Sequence, residues 1–248
     1  MKWRILGLET HDAFTNMGID EALMESVRAG SCLPTIRFYR WKPSAVSIGT
    51  FQSMDKEVNT KRCGELGIDH IRRITGGGAV YHDFDGEVTY SVIAPLSTFP
   101  SGIRESYKFI SGWIIEGLRT LGIEANFVPI NDILVEGKKI SGNAQTRREG
   151  ILLQHGTVLY DTDIRTMFSV LNISAENLSD KMIKNAEDRV TCVKKYADVS
   201  IEDLCDALIE GFTKGKDFEF GSLASEEFAR AKELADTVYR SDSWNFSR

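Results

Sequence analysis

Arg72-Arg73-Ile74-Thr75-Gly76-Gly77-Gly78-Ala79-Val80-Tyr81-His82-Asp83 is the stretch on which the reading of this chain turns. Three consecutive glycines after a strand-like segment cost conformational entropy on folding. Such a run is useful where backbone must approach a ligand closely. The two arginines before it are fork-shaped donors suited to a phosphate or carboxylate. The competing reading is a glycine bulge flanked by surface arginines. The standard nucleotide loops are excluded as motifs, because neither G-x-x-x-x-G-K-[ST] nor G-x-G-x-x-G occurs anywhere in the chain.

A second stretch, Asn131-Asp132-Ile133-Leu134-Val135-Glu136-Gly137-Lys138-Lys139-Ile140-Ser141-Gly142-Asn143-Ala144-Gln145, places two lysines at the start of a strand that ends at a glycine. Adjacent strand residues point to opposite faces, so one ammonium can reach inward while the other stays solvated. An inward lysine is a compact cation suited to a phosphate and a carboxylate at once. A pair of solvated hairpin lysines is the plainer alternative. His155 lies in a largely apolar strand, where a hydrogen-bonded core histidine is the commoner outcome than a catalyst.

Around these motifs the pattern is α+β. Helical spacing predicts Asn16–Val27, capped by Thr15 or Asn16, and Asp55–Leu66, stopped at Gly67. Thr35–Trp41 and Ala45–Thr50 read as a hairpin broken at Pro43-Ser44, and Ile68–Ile74, Ala79–His82 and Glu87–Ala94 as further strands. Arg104–Leu121 is the clearest helix, with Ile110, Trp113, Ile114, Ile115, Leu118 and Leu121 as its apolar stripe and Gly122 as its stop. Ala125–Pro129, Ile133–Val135, Lys139–Ser141 and Gly150–Tyr160 follow as strands. Asp163–Leu171, Glu176–Asn185, Ile201–Thr213 and Ala224–Tyr239 make a helical tail. This order argues for mixed or antiparallel sheets flanked by helices rather than a regular βαβ array.

Composition narrows the function. The chain has 248 residues, 42% of them hydrophobic, which fits a single domain with a real core. A formal net charge of -6 argues against general nucleic-acid binding. No apolar run approaches the roughly 20 residues a bilayer crossing needs, and no secretory h-region is present. No membrane association and a cytoplasmic location are therefore expected. Cys32, Cys63, Cys192 and Cys205 form no C-x-x-C pair and, with four histidines, complete no zinc spacing, so four reduced thiols and no metal-ligand set are expected.

Together the two motifs resemble the lipoate–protein ligase A family. Arg72–Asp83 is similar to its RRxTGGGAVxHD signature and Asn131–Ala144 to its ND…GKKISGxA signature. Arg37–Gln52, Gln154–Thr157 and the closing Ser243-Trp244-Asn245-Phe246 extend the resemblance over essentially the whole chain. It implies the biotinyl/lipoyl-ligase fold, related to class II aminoacyl-tRNA synthetases. It implies ATP and Mg2+ as cofactors and lipoate as substrate. The reaction implied is formation of lipoyl-AMP, then transfer of the acyl group to a lysine of lipoyl-domain proteins, namely E2 subunits or the glycine-cleavage H protein. By resemblance Lys139 is the catalytic cation and Arg73 a nucleotide contact. Gly76, Gly77, Gly78, Ala79, Val80 and Tyr81 would wrap the adenylate, Asp132 would orient the metal or Lys139, and Trp41 and His82 would wall the acyl pocket. No general base is called for, since lipoate is already a carboxylate at neutral pH.

Two departures from the family pattern qualify this. Many members continue into an accessory domain of roughly a hundred residues, here expected as a separate subunit because the catalytic domain fills 1–248. The octanoyltransferases of this fold carry a catalytic cysteine just before the ND…GKK region, whereas 127–133 contains none. A transferase using an acyl-carrier thioester, with Lys139 activating the incoming amine, is the runner-up. A non-catalytic adenylate-binding module and a purely structural protein are the remaining alternatives. Biotin is disfavoured, because no GRGRxxR-type loop is present.

Overall fold

A computed structural model describes residues 1–172 and 188–248. The predicted helix Glu176–Asn185 lies outside the described residues. The strands are β1 (Lys2–His11), β2 (Thr35–Trp41), β3 (Ala45–Ile48), β4 (Asp69–Arg72), β5 (Val80–His82), β6 (Glu87–Pro95), β7 (Asn126–Val128), β8 (Asp132–Val135), β9 (Lys138–Arg148), β10 (Ile151–Leu159) and β11 (Asp217–Gly221). The helices are α1 (Ala13–Ala29), α2 (Met54–Glu57), α3 (Thr60–Leu66), α4 (Ile103–Thr120), α5 (Ile164–Val170), α6 (Ile201–Thr213), α7 (Ser225–Leu234) and α8 (Asp242–Asn245). They build a mixed α+β architecture, as expected.

Eight strands form one mixed sheet in the order β11-β1-β2-β6-β10-β9-β8-β7, and three form a small sheet in the order β4-β3-β5. The predicted hairpin between Thr35–Trp41 and Ala45–Thr50 does not exist. β2 pairs with β1 and β6, while β3 crosses to the small sheet and pairs with β4 and β5. Likewise β5 and β6, separated by a short turn, belong to different sheets. The predicted helix Asp55–Leu66 is two, because Val58 and Asn59 leave helical geometry and Asn59 caps α3 through a bond from the Arg62 amide. β1 and β11, not anticipated from the sequence, pair in parallel at the sheet edge.

Strand alternation gives the large sheet two unlike faces. One carries Ile36, Phe38, Val88, Tyr90, Val92, Leu152 and Val158, all buried against α4 and α6. Those helices approach closely enough that a Cβ on Gly211 would lie 2.3 Å from the backbone of Gly117. The other face carries Arg37, Tyr39, Trp41, Thr89, Ser91, His155 and Thr157. Its apolar end packs under α1 and α7 through Met17, Leu23, Ala231 and Leu234. Its polar end faces the small sheet, whose far side buries Val46, Ile48, Met54, Val58, Cys63 and Tyr81. α1 is stopped by Gly30 at φ 70° and starts at Asp12, whose carboxylate accepts from the Thr15 amide at 2.7 Å. The cap is thus Asp12, not Thr15 or Asn16.

Candidate active site

Between the polar end of the large sheet and the small sheet lies a cleft enclosing about 620 Å³, open mouth included. That is within the usual range for small-molecule sites. Every strand that borders it contributes by alternation: Trp41 from β2, Ser47 from β3, His82 from β5, Thr89 from β6, Lys139 and Asn143 from β9, His155 from β10. Gly77, Gly78, Ala79 and Val80 form the lip.

The lysine pair resolves as strand geometry requires. Lys139 reaches the cleft, and its Nζ lies 2.7 Å from Asp132 Oδ1. Its backbone is held on one side by β8 and on the other by bonds to Arg189 and Thr191, each 2.8 Å. Gly142 gives the side chain its path, since a Cβ there would sit 2.8 Å from Lys139 Cε. β9 does not end at that glycine as the sequence suggested but runs through it to Arg148. Asn143, the next residue of β9, accepts from the Tyr90 hydroxyl at 2.6 Å and donates to the Asn131 carbonyl at 2.8 Å.

The arginine pair does not act as two free forks. Arg72 is 1% exposed and gives its guanidinium to the carbonyls of Gly49, Thr50, Gln52, Trp244 and Asn245, tying the C-terminal segment to the small sheet. Arg73 borders the cleft, yet its donors are engaged by Thr75 Oγ1, the carbonyl and Oγ of Ser47, and the carbonyls of Gly76 and Gly78. It shapes the glycine loop and supplies positive charge. Burial lowers its pKa to about 10, still well above neutrality. No carboxylate bonds to it among the described residues, so an anion in the cleft meets an incompletely neutralised cation.

Of the loop residues, Gly77 has φ 95° and touches Arg73, whereas a Cβ on Gly76 or Gly78 would meet open space. The amides of Gly76, Gly77, Gly78 and Ala79 donate to no partner among the described residues. Gly76 and Tyr81 do not border the cleft. Tyr81 points to the opposite face of β5, in the small sheet's own core, so only its backbone is near the site.

Trp41 and His82 meet beside the cleft. Their rings stack at 4.0 Å between centroids and 13° between planes. His82 Nδ1 lies 2.7 Å from Glu87 Oε1, and its Nε2 lies 2.8 Å from Ser47 Oγ. His155 repeats the pattern, with Nδ1 3.1 Å from Asp20 Oδ2 and Nε2 2.7 Å from Thr75 Oγ1. Burial lowers the His155 pKa, against the pull of Asp20. Asp20 is held below the usual carboxylate range, because the His155 hydrogen bond and the Arg37 charge outweigh its burial.

Ser47, Glu87, Asp20 and Asn143 carried no assignment from the sequence. For one of them a signal existed: Asp20 interrupts the apolar stripe of α1. No cysteine borders the cleft, and burial raises Cys32 and Cys63 to about 11 and Cys205 to about 12, which leaves these thiols protonated and poorly nucleophilic. No group of three or more His, Cys, Asp or Glu suited to a metal occurs among the described residues. No helix among them is long and apolar enough to cross a membrane.

A lysine-bearing strand and a glycine loop across a two-sheet cleft define an enzyme of the lipoyl and octanoyl transferase–ligase class. The chain belongs to the lipoyl protein ligase A/B catalytic domain family, whose model matches residues 12–213. It is similar to "Octanoyltransferase LipM" of Brevibacillus brevis, 34% identical over 100% of this chain and 99% of that one. It is also similar to "Octanoyltransferase LipM" of Geobacillus kaustophilus, 36% identical over 99% and 98%. Among solved structures, a bi-partite lipoate protein ligase from Thermoplasma acidophilum superposes with a TM-score of 0.90 at 33% identity, covering 99% of this chain and 96% of that one. The expected fold is therefore present. The expected ATP-dependent lipoate ligase is overturned as the main reading by curated octanoyltransferases that match over the full length.

Proposed function

We propose that this chain transfers an octanoyl or similar medium-chain acyl group from a carrier-protein thioester to the ε-amine of a lysine on a lipoyl domain. The observation that carries the reading is the Lys139 ammonium beside a cleft with a largely apolar wall of Trp41, Ala79, Val80 and Ala144. Full-length similarity to curated octanoyltransferases supports octanoyl as the transferred group. The Thermoplasma acidophilum ligase is described together with its E2 lipoyl domain, which supports the acceptor class.

The acyl chain lies in the cleft with its carbonyl towards Lys139. Attack by the acceptor amine puts negative charge on the carbonyl oxygen. A fixed ammonium beside that oxygen stabilises the charge more than it stabilises the ground state. Asp132 holds Lys139 in place. The new C–N bond forms, the C–S bond breaks, and the carrier leaves as its thiol. With no thiol at the cleft, the acyl group passes directly between donor and acceptor.

The test is acceptor mass after incubation with three donors in parallel: octanoyl-carrier thioester, octanoate or lipoate with Mg-ATP, and preformed acyl-adenylate. Modification from the thioester is the expected result. Modification only in the ATP and adenylate tubes sinks the transferase reading.

A further inference from the structure

Two chains of hydrogen bonds converge on Arg73. One runs Glu87–His82–Ser47, the other Asp20–His155–Thr75, and each ends on a hydroxyl that accepts from the guanidinium, at 3.0 and 3.1 Å. Only the first ends on a group that borders the cleft: Ser47, itself 1% exposed, lines it, and Thr75 does not.

Proton positions in the first chain follow from its donors. Trp41 Nε1 can only donate, and it lies 2.7 Å from Thr89 Oγ1. The Thr89 hydroxyl must then give its proton to Glu87 Oε1, 2.9 Å away. That oxygen accepts again from His82 Nδ1–H, which leaves Nε2 as a bare acceptor for the Ser47 hydroxyl. Glu87 Oε2 has no partner among the described residues, so its charge is not shared with another donor. Ser47 Oγ, with one donor site and two lone pairs, accepts from Arg73 and keeps one lone pair for the cleft.

We propose that Ser47, His82 and Glu87 form a proton relay that takes the proton from the attacking amine. The inference rests on the proposed acyl transfer to lysine. As the amine nitrogen bonds to the acyl carbon, its proton passes to Ser47 Oγ while the Ser47 proton passes to His82 Nε2. Glu87 steadies the imidazolium through Nδ1. When the C–S bond breaks, the proton returns along the same path to the leaving sulfur, so the amine loses one proton and the thiol gains it. Ser47 touches the reacting atoms; Glu87 is a positioning residue. Glu87 on β6 bonds His82, and the charged or titratable groups that line the same cleft are Arg73 after β4, His155 on β10, Tyr39 on β2 and Lys139 on β9.

The experiment is the pH–rate profile of single-turnover transfer to a lipoyl domain, for wild type, S47A, H82Q and E87Q, with octanoyl thioester and with octanoyl-adenylate as separate donors. Loss of the relay is expected to lower kcat about 100-fold in S47A and H82Q, with KM within about threefold, as removal of general base help does. H82Q loses the acid limb of the profile. E87Q keeps the Nδ1 bond but removes the charge, so it retains an acid limb displaced to lower pH. A merely structural role would leave the limb where it is in all three folded variants, and that result overturns the relay. Wild-type transfer from the adenylate alone refutes the thioester donor but leaves the relay readable, because the same amine must lose the same proton. Transfer from neither donor overturns both.

Discussion

Lys139 Nζ sits 2.7 Å from Asp132 Oδ1, its side chain passing over Gly142, where an added Cβ would crowd it. The pair is half exposed, so its worth to folding is small, within about 1 kcal/mol. Its effect on chemistry is of another size. Replacing Lys139 by Met should leave the melting temperature within a few degrees and lower transfer on the order of a hundredfold or more, the scale of losing one oxyanion stabiliser. Single-turnover kinetics with thermal melts checks both halves. Full activity in a folded K139M would remove Lys139 from the mechanism.

Gly142 offers a gentler version of the same test. An added Cβ would lie 2.8 Å from Lys139 Cε and 2.9 Å from its Nζ, and the far end of a lysine can move aside. G142A should therefore fold normally and slow transfer about tenfold by displacing the ammonium, since misplacement by about an ångström carries such penalties. A crystal structure of the variant would show whether the Asp132 contact survives.

Stability should fall in acid for a reason visible in the core. The folded pKa of His155 is depressed, chiefly by burial, so its contribution is present above the unfolded value of about 6.5 and is lost as pH falls below it. Asp20 is also depressed, held down by the His155 hydrogen bond and the Arg37 charge against its burial. Its contribution is lost lower, as pH drops through the carboxylate range. Urea midpoints should decline from pH 7 to 4 in two stages. H155Q, which can still donate to Asp20 and accept from Thr75, should flatten the upper stage only.

Much of this was legible before any coordinates, and the exceptions share a cause. Lys139, Trp41 and His82 were placed in the site by their motifs, and the cleft brings all three together. Arg72 was misjudged because sequence cannot show that its fork is consumed by Gln52 and Asn245, distant in the chain. Alternation gives the period of β3 but not its partner, so the sequence suggests a hairpin with β2 where the fold pairs β3 with β4 and β5. The relay residues Ser47 and Glu87 were missed because each looks ordinary within its own strand. Only packing of the small sheet on the large one makes them neighbours of one imidazole. The ligase reading itself rested on motifs shared by ligases and transferases of this class, which do not identify the donor.

The glycine run separates by what each position must do. At Gly77 the backbone has φ 95° and an added Cβ would lie 2.9 Å from the Arg73 guanidinium. G77A should therefore cost about 1–3 kcal/mol, the usual strain of holding an L-residue in such a conformation. Gly49 is the tighter constraint, because a Cβ there would lie 2.1 Å from the Gly77 carbonyl oxygen, a backbone atom that cannot swing away. G49A should destabilise at least as much and should also separate the small sheet from the loop, lowering transfer. Gly76 has neither positive φ nor a neighbour within 4 Å of its would-be Cβ. G76A should be neutral or stabilise by about 0.5 kcal/mol through the unfolded chain. Urea denaturation of the three variants ranks them directly. Equal losses at positions 76 and 77 would mean that the cost does not come from the backbone geometry particular to Gly77.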